Sequence, residues 1–115
     1  MPKPITIHRL AAFHRQDGCC FYCNVQMWID DPAIFAAKNG LKLTAVSRFQ
    51  CTAEHLVARQ DGGRNTQDNI VAACRFCNNT RHRVPIPPEP DAYRQHVIRR
   101  MRSGRWHPPD IRPSS

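Results

Sequence analysis

Apolar positions recur at helical spacing near both ends of the chain and in short strand-like runs between them. Near the start, Ile7, Leu10 and Ala11 share one helical face, which predicts a helix from a Thr6 cap to about Gln16, ended by Asp17-Gly18. Residues 24–43 hold three local helix signals: Asp31 as cap, Pro32 in the first position and Gly40 at the close. Residues 44–57 read as a strand ending in Glu54-His55-Leu56, and Asn69-Ile70-Val71-Ala72-Ala73 as a second. The polar loop Gln60-Asp61-Gly62-Gly63-Arg64-Asn65 turns the chain between them. Cys74-Arg75-Phe76-Cys77 opens a helix predicted to reach about Arg83. Val84 to Pro90 holds four prolines and cannot be regular. A last helix, from Pro90 or Asp91 to about Ser103, carries Tyr93, Val97, Ile98 and Met101 as its apolar stripe. Trp106 to Ser115 reads as a flexible, Pro-rich tail, leaving residues 1–105 as a single domain.

Composition narrows the class. The 115 residues hold no run near the roughly 18 apolar residues of a membrane span. Met1-Pro2-Lys3-Pro4 lacks the apolar region of a secretory signal, so a cytoplasmic setting is expected. Seventeen Lys and Arg against nine Asp and Glu give +8. The excess is uneven: residues 1–74 carry 8 basic and 6 acidic side chains, residues 75–115 carry 9 and 3. Fourteen of the basic residues are Arg, whose planar fork suits phosphate. A polyanion partner follows, and nucleic acid leads, although such a balance also serves solubility alone.

Six cysteines in a reducing compartment point to metal before disulfides. Cys20-x-x-Cys23 and Cys74-x-x-Cys77 are two chelating pairs that together complete a tetrahedral four-cysteine zinc site. Such an ion would staple the N-terminal segment to the helix after the second strand. With four protein ligands it has no open position, so its role is structural. An iron–sulfur cluster or four unpaired thiols are the rivals. Cys19 could take the place of Cys20, though only Cys20 leaves the two-residue gap; Cys51 reads as a small buried strand residue.

Between and after the pairs lies a second constellation. In order it runs Cys20-x-x-Cys23, Glu54-His55-Leu56-Val57, Gly62-Gly63, then Asp68-Asn69-Ile70-Val71-Ala72-Ala73-Cys74-Arg75-Phe76-Cys77-Asn78, with His82 following. Phosphodiester hydrolysis needs an activated water and positive charge on the developing oxyanion. An imidazole suits the first task and a divalent ion the second. Over about residues 15–83 the ordered set resembles the HNH endonuclease family. The resemblance implies an α+β fold with a small ββα-metal core at about residues 45–83, stapled by the zinc site and flanked by N- and C-terminal helices. It implies His55 as general base and Glu54 as a ligand of the catalytic metal. Asn69 matches the middle Asn, which pins the loop bearing the His. Asn78 and His82 match ligand positions, and whether one or both bind stays open; His82 read alone is a helix C-terminal cation.

Three departures matter. Glu54 stands where Asp or His is usual, Asn78 where many relatives have His, and the stretch 24–50 is longer than usual. An oxygen-rich set favours Mg2+ or Mn2+; engaging His82 would widen tolerance toward Co2+, Ni2+ or Zn2+. Activity loss with an intact fold is the expectation for Glu54→Ala.

Arg59, Arg64, Arg75, Arg81 and Arg83 surround these motifs and are the candidate phosphate contacts, with double-stranded DNA the expected partner. The last helix adds Arg94, Arg99, Arg100 and Arg102. No separate recognition module is legible, so specificity would be low or come from a protein partner. By resemblance, nicking or double-strand cleavage would leave 5′-phosphate and 3′-hydroxyl ends, and a phage or mobile element would be the context. The rival reading is a zinc-stapled nucleic-acid-binding module without catalysis. His8, His14, His96 and His107 read as surface residues, Trp28 and Trp106 as core or interface.

Overall fold

The computed structural model describes residues 2–113. Its centre is a two-stranded antiparallel sheet followed by a helix: β1 (Cys51–His55), β2 (Ile70–Cys74) and α4 (Arg75–Arg81). The register pairs Cys51 with Cys74 and His55 with Ile70, so Glu54 and His55 lie at the strand end away from the cysteines. Before this unit come α1 (Pro4–Arg15), α2 (Pro32–Asn39) and the short α3 (Leu43–Val46); α5 (Pro90–Arg102) follows it. The fold is α+β, built on a ββα unit. Among the described residues no helix is long and apolar enough to cross a membrane.

Local signals explain several boundaries. Asp31 accepts from the Ile34 backbone N–H at 3.1 Å, Pro32 sits in the first turn, and Gly40 closes α2 at φ +65°. Pro90 begins α5, whose Tyr93 and Val97 are buried. Pro4, not Thr6, starts α1, with Lys3 at the cap position.

Two expectations fail for tertiary reasons. Ile7 and Leu10 are 52% and 45% exposed, whereas Ala12 is fully buried. The docked side of α1 carries Ala12 and Phe13, and the helix is also held by bonds to strand backbone. Gln16 Nε2 donates to the Ala72 carbonyl at 2.8 Å while its Oε1 accepts from the Ala72 N–H at 2.9 Å. Arg9 Nη1 donates to the Cys51 carbonyl at 3.1 Å. Those bonds satisfy sheet groups that no third strand reaches among the described residues. The expected strand over 44–57 begins only at Cys51, because residues 43–46 and 47–49 form helical turns. Val46 and Phe49, three apart, are both buried there, which is a helical spacing. The helix after β2 ends at Arg81, with His82 at the cap, two residues short of the expected end.

The long stretch before β1 covers the unit. Trp28 bridges to Gln50, and its indole N–H donates to the Val46 carbonyl at 2.8 Å. Phe35, Phe49, Met27, Tyr22, Tyr93 and Val97 join Ala72 and Ala73 in one core. Trp106 and His107 belong to this packed body, not to a loose tail; His107, expected on the surface, is 6% exposed. Ser114 and Ser115 lie outside the described residues.

Candidate active site and metal centres

The two Cys-x-x-Cys turns meet as their spacing requires. Cys20, Cys23, Cys74 and Cys77 are all buried, with their sulfurs within 4.8 Å of one another. Cys19 is not among them, which settles the choice between Cys19 and Cys20. N–H groups point at the sulfurs: Tyr22 N and Cys74 N at Cys20 Sγ (3.4 and 3.3 Å), Cys77 N at Cys74 Sγ (3.4 Å). Burial opposes ionisation of Cys20, but hydrogen bonds from Cys23, Cys74 and Cys77 outweigh it and draw its thiol well below the usual range. Hydrogen bonding to Cys20 raises Cys23, and burial raises Cys77. The Cys20 thiolate forms readily while Cys23 and Cys77 resist, so holding these sulfurs together as thiolates calls for a cation. Four buried sulfurs fit zinc. Cys51 stands apart in β1, its thiol pushed up to about 12 by burial.

Clamping these turns fixes α4. Cys74 ends β2 and caps the helix, and Tyr93 Oη of α5 donates to the Cys77 carbonyl at 2.6 Å. From that helix Asn78, Arg81 and His82 reach back to the end of β1. Asn78 Nδ2 donates to Thr52 Oγ1 at 3.0 Å and to the Ala53 carbonyl at 3.1 Å. His82 Nε2 lies 2.8 Å from Glu54 Oε1. Arg81 Nη1 donates to Glu54 Oε2 at 3.1 Å, and Tyr22 Oη donates to the same oxygen at 2.8 Å. Burial, then the Glu54 charge, raises Tyr22 far above its ordinary value, so the phenol remains a donor.

Arg81 corrects one expectation: it does not face solvent to meet phosphate. It is 3% exposed, and besides Glu54 its guanidinium donates to the carbonyls of His55 (3.0 Å), Leu56 (3.2 Å) and Pro88 (3.0 Å). A buried carboxylate needs a partner, and Arg81 is the one within reach. This changes the expected consequence of Glu54→Ala, which strands a buried guanidinium. The variant is expected to lose about 3–5 kcal/mol of stability. Glu54→Gln, which keeps the shape and an acceptor oxygen, is expected to lose less. Urea denaturation measures both; a wild-type midpoint for Glu54→Ala would show that the pair does not support the fold.

His55 closes β1. Its Nε2 lies 2.7 Å from Asn65 Oδ1, an amide in the loop between the strands. Asn69 binds that loop at three points: its Oδ1 accepts from the Val57 N–H at 2.8 Å, and its Nδ2 donates to the carbonyls of Val57 (3.1 Å) and Arg64 (3.0 Å). Gly63 is required on the far side, since a Cβ there would collide with the Val57 carbonyl oxygen. Asn65 and Tyr22 carried no signal in the sequence that set them apart from ordinary loop residues.

Glu54, His55, Asn78 and His82, with Ala58, Arg59 and Gln60, line one open cavity of about 270 Å³. Glu54 Oε1, Asn78 and His82 Nε2 offer a mixed oxygen and nitrogen donor set, which suits a divalent ion. With Asn78 Nδ2 committed to β1, its Oδ1 is the end that can ligate. Of the candidate phosphate contacts, Arg59, Arg64, Arg75 and Arg83 are exposed, and Arg59 reaches the cavity rim.

Residues 43–83 match a protein-family model described as HNH endonuclease. No curated protein and no solved structure matches the chain. The matched segment runs from α3 through β1, β2 and α4 to Arg83, so it contains the whole ββα unit and the cavity. The resemblance read from the sequence is borne out over that segment, and it points to a nuclease or nucleic-acid-related function.

Proposed function

We propose that this chain is a divalent-metal-dependent HNH endonuclease that hydrolyses DNA phosphodiester bonds, acting through one nuclease domain. The observation that supports this reading is the convergence of Glu54, His55, Asn78 and His82 on one open cavity. A binding module has no need of a carboxylate, two imidazoles and an amide in a single cleft.

The roles follow from the hydrogen bonds. Asn65 Oδ1 can only accept, so it receives the proton on His55 Nε2 and leaves the lone pair on Nδ1. His55 Nδ1 is then the base that takes a proton from the attacking water. Asn69 acts at one remove by holding the loop that carries Asn65. Glu54, Asn78 and His82 would hold the catalytic ion, with Mg2+ or Mn2+ favoured and Co2+ or Ni2+ tolerated. When bound, that ion stabilises charge on the phosphate and the leaving oxygen. Arg59, Arg64, Arg75 and Arg83 would grip phosphates around the cleft. A protein partner would supply sequence specificity.

The test is conversion of supercoiled plasmid to nicked or linear DNA with Mg2+, Mn2+, Co2+ or Ni2+. Cleavage with at least one ion is expected. Salt-sensitive DNA binding with no cleavage under any ion would install the alternative, a zinc-stapled binding module. Glu54 lends that alternative its one support, since both its oxygens already have hydrogen-bond partners.

Two subsidiary outcomes follow. Asn65→Ala frees the His55 ring to rotate and is expected to lower kcat by up to about 100-fold with KM little changed. Equal losses for Asn65→Ala and the amide-preserving Asn65→Gln would remove the orienting role. Arg59→Ala is expected to weaken binding of any DNA sequence and to reduce the log–log salt slope by about 1. An unchanged slope would place phosphate elsewhere.

A further inference from the structure

Beyond α5 the chain reverses at Gly104, φ +70°, and returns to the sulfur cluster. Two side chains there donate to sulfur. Trp106 Nε1 donates to Cys77 Sγ at 3.2 Å, and His107 Nε2 lies 3.3 Å from Cys23 Sγ. They take one cysteine from each chelating pair. Cys20 and Cys74 receive backbone N–H groups from within the two turns; Cys23 and Cys77 receive theirs from this distant segment.

Arg48 fixes the direction of the His107 bond. It lies in the turn just before β1, and its Nε donates to His107 Nδ1 at 2.8 Å. A guanidinium cannot accept, so Nδ1 is the acceptor and the ring proton sits on Nε2, directed at Cys23 Sγ. Arg48 Nη2 also donates to the Trp106 carbonyl, and the guanidinium lies 3.6 Å from the centre of the Phe76 ring. Phe76 is itself inside the second Cys-x-x-Cys turn. Trp106 packs edge-on against Phe76, with centroids 5.0 Å apart, and against Tyr93 at 6.2 Å.

The geometry points to Trp106 and His107 as a latch over the zinc site: positioning residues, braced by Arg48, through which the C-terminal segment controls how fast the ion leaves. N–H groups bonded to thiolate sulfur lower the charge each sulfur must place on the metal and hold its lone pair in direction. Partners of this kind are worth about 10–100-fold in metal affinity where they have been removed from other sites. The latch also closes over Cys23 and Cys77, so a chelator must displace it before it reaches the ion. This rests on the four sulfurs holding zinc, which the first measurement below tests separately.

The experiment uses the full chain. Zinc content is measured first, then zinc release into excess 4-(2-pyridylazo)resorcinol is followed by absorbance. Trp106→Phe, which keeps the ring contacts and deletes only the N–H, is expected to speed release on the order of 10-fold. His107→Leu is expected to do the same, while His107→Gln, which retains a side-chain N–H, stays closer to wild type. In the cobalt-loaded protein, Trp106→Phe is expected to move the sulfur-to-metal charge-transfer band to lower energy, a change that altered packing alone does not produce. One zinc per chain with release rates unchanged in Trp106→Phe and His107→Leu overturns the latch alone. Equal rates for His107→Leu and His107→Gln reduce His107 to packing and overturn its donor role. A chain that neither contains nor takes up zinc overturns the zinc reading and the latch with it.

Discussion

His55→Ala is expected to lower plasmid cleavage by about 10²–10⁴-fold, the range that a positioned general base contributes. The zinc content and the thermal midpoint should stay close to those of the wild type. His55 sits at the end of β1, and its side chain meets the open cavity and one loop amide rather than the apolar core. Its removal therefore leaves a space that water can fill. Adding free imidazole to His55→Ala should restore part of the rate, because a small base can enter a cavity of about 270 Å³. Gel quantification of supercoiled and nicked plasmid reads both effects. Cleavage by His55→Ala at the wild-type rate would remove His55 from the chemistry and leave the cavity without a base.

The contrast between His55 and Glu54 shows how the site is built. The two are adjacent at the end of β1 and both line the cavity, yet their hydrogen-bond partners differ. His55 meets the loop, while Glu54 turns toward α4 and the core, where it is 1% exposed. A carboxylate that deep ties the stability of the ββα unit to the same residue that would ligate the ion. Arg81 and Tyr22 hold Oε2, so Oε1, beside His82, is the oxygen on the cavity side of the network.

What could be read from the sequence was whatever short spacing encodes. The Cys-x-x-Cys pairs fix their own turns, Asp31, Pro32 and Gly40 mark α2 within ten residues, and Glu54-His55 announces itself as a pair. What could not be read depends on a partner far along the chain. Arg81 looks like any basic residue until Glu54, 27 positions earlier, is known to be buried beside it. His107 looks like a tail histidine until Cys23, 84 positions away, is placed at its Nε2. Large apolar residues usually mark the docked side of a helix, whereas Gln16 and Arg9 help dock α1 by completing strand hydrogen bonds. Val46 and Phe49 are buried in either a strand or a helical turn, and only the chain path into Cys51 distinguishes the two.

Cys74→Ser is expected to lose its zinc and most of its fold together. Cys74 has four roles: it ends β2 opposite Cys51, donates its N–H to Cys20 Sγ, caps α4 through its Sγ, and supplies one of the four sulfurs. Serine preserves the backbone and is itself a good helix cap, so the first three roles survive the substitution. Only the metal ligand is lost. A structural zinc site contributes an apparent 10–16 kcal/mol, roughly the whole stability of an ordinary small domain. The apo chain would keep buried thiols but no staple between residues 20–23 and 74–77, and α4 would no longer be held against β1. Metal analysis of the purified protein and its far-ultraviolet circular dichroism melt are the measurements. Cys51→Ala is the control: it deletes a sulfur just as buried but outside the cluster, and is expected to keep one zinc and a cooperative melt. A metal-free Cys74→Ser chain that melts like the wild type would show that the four sulfurs do not hold this fold together.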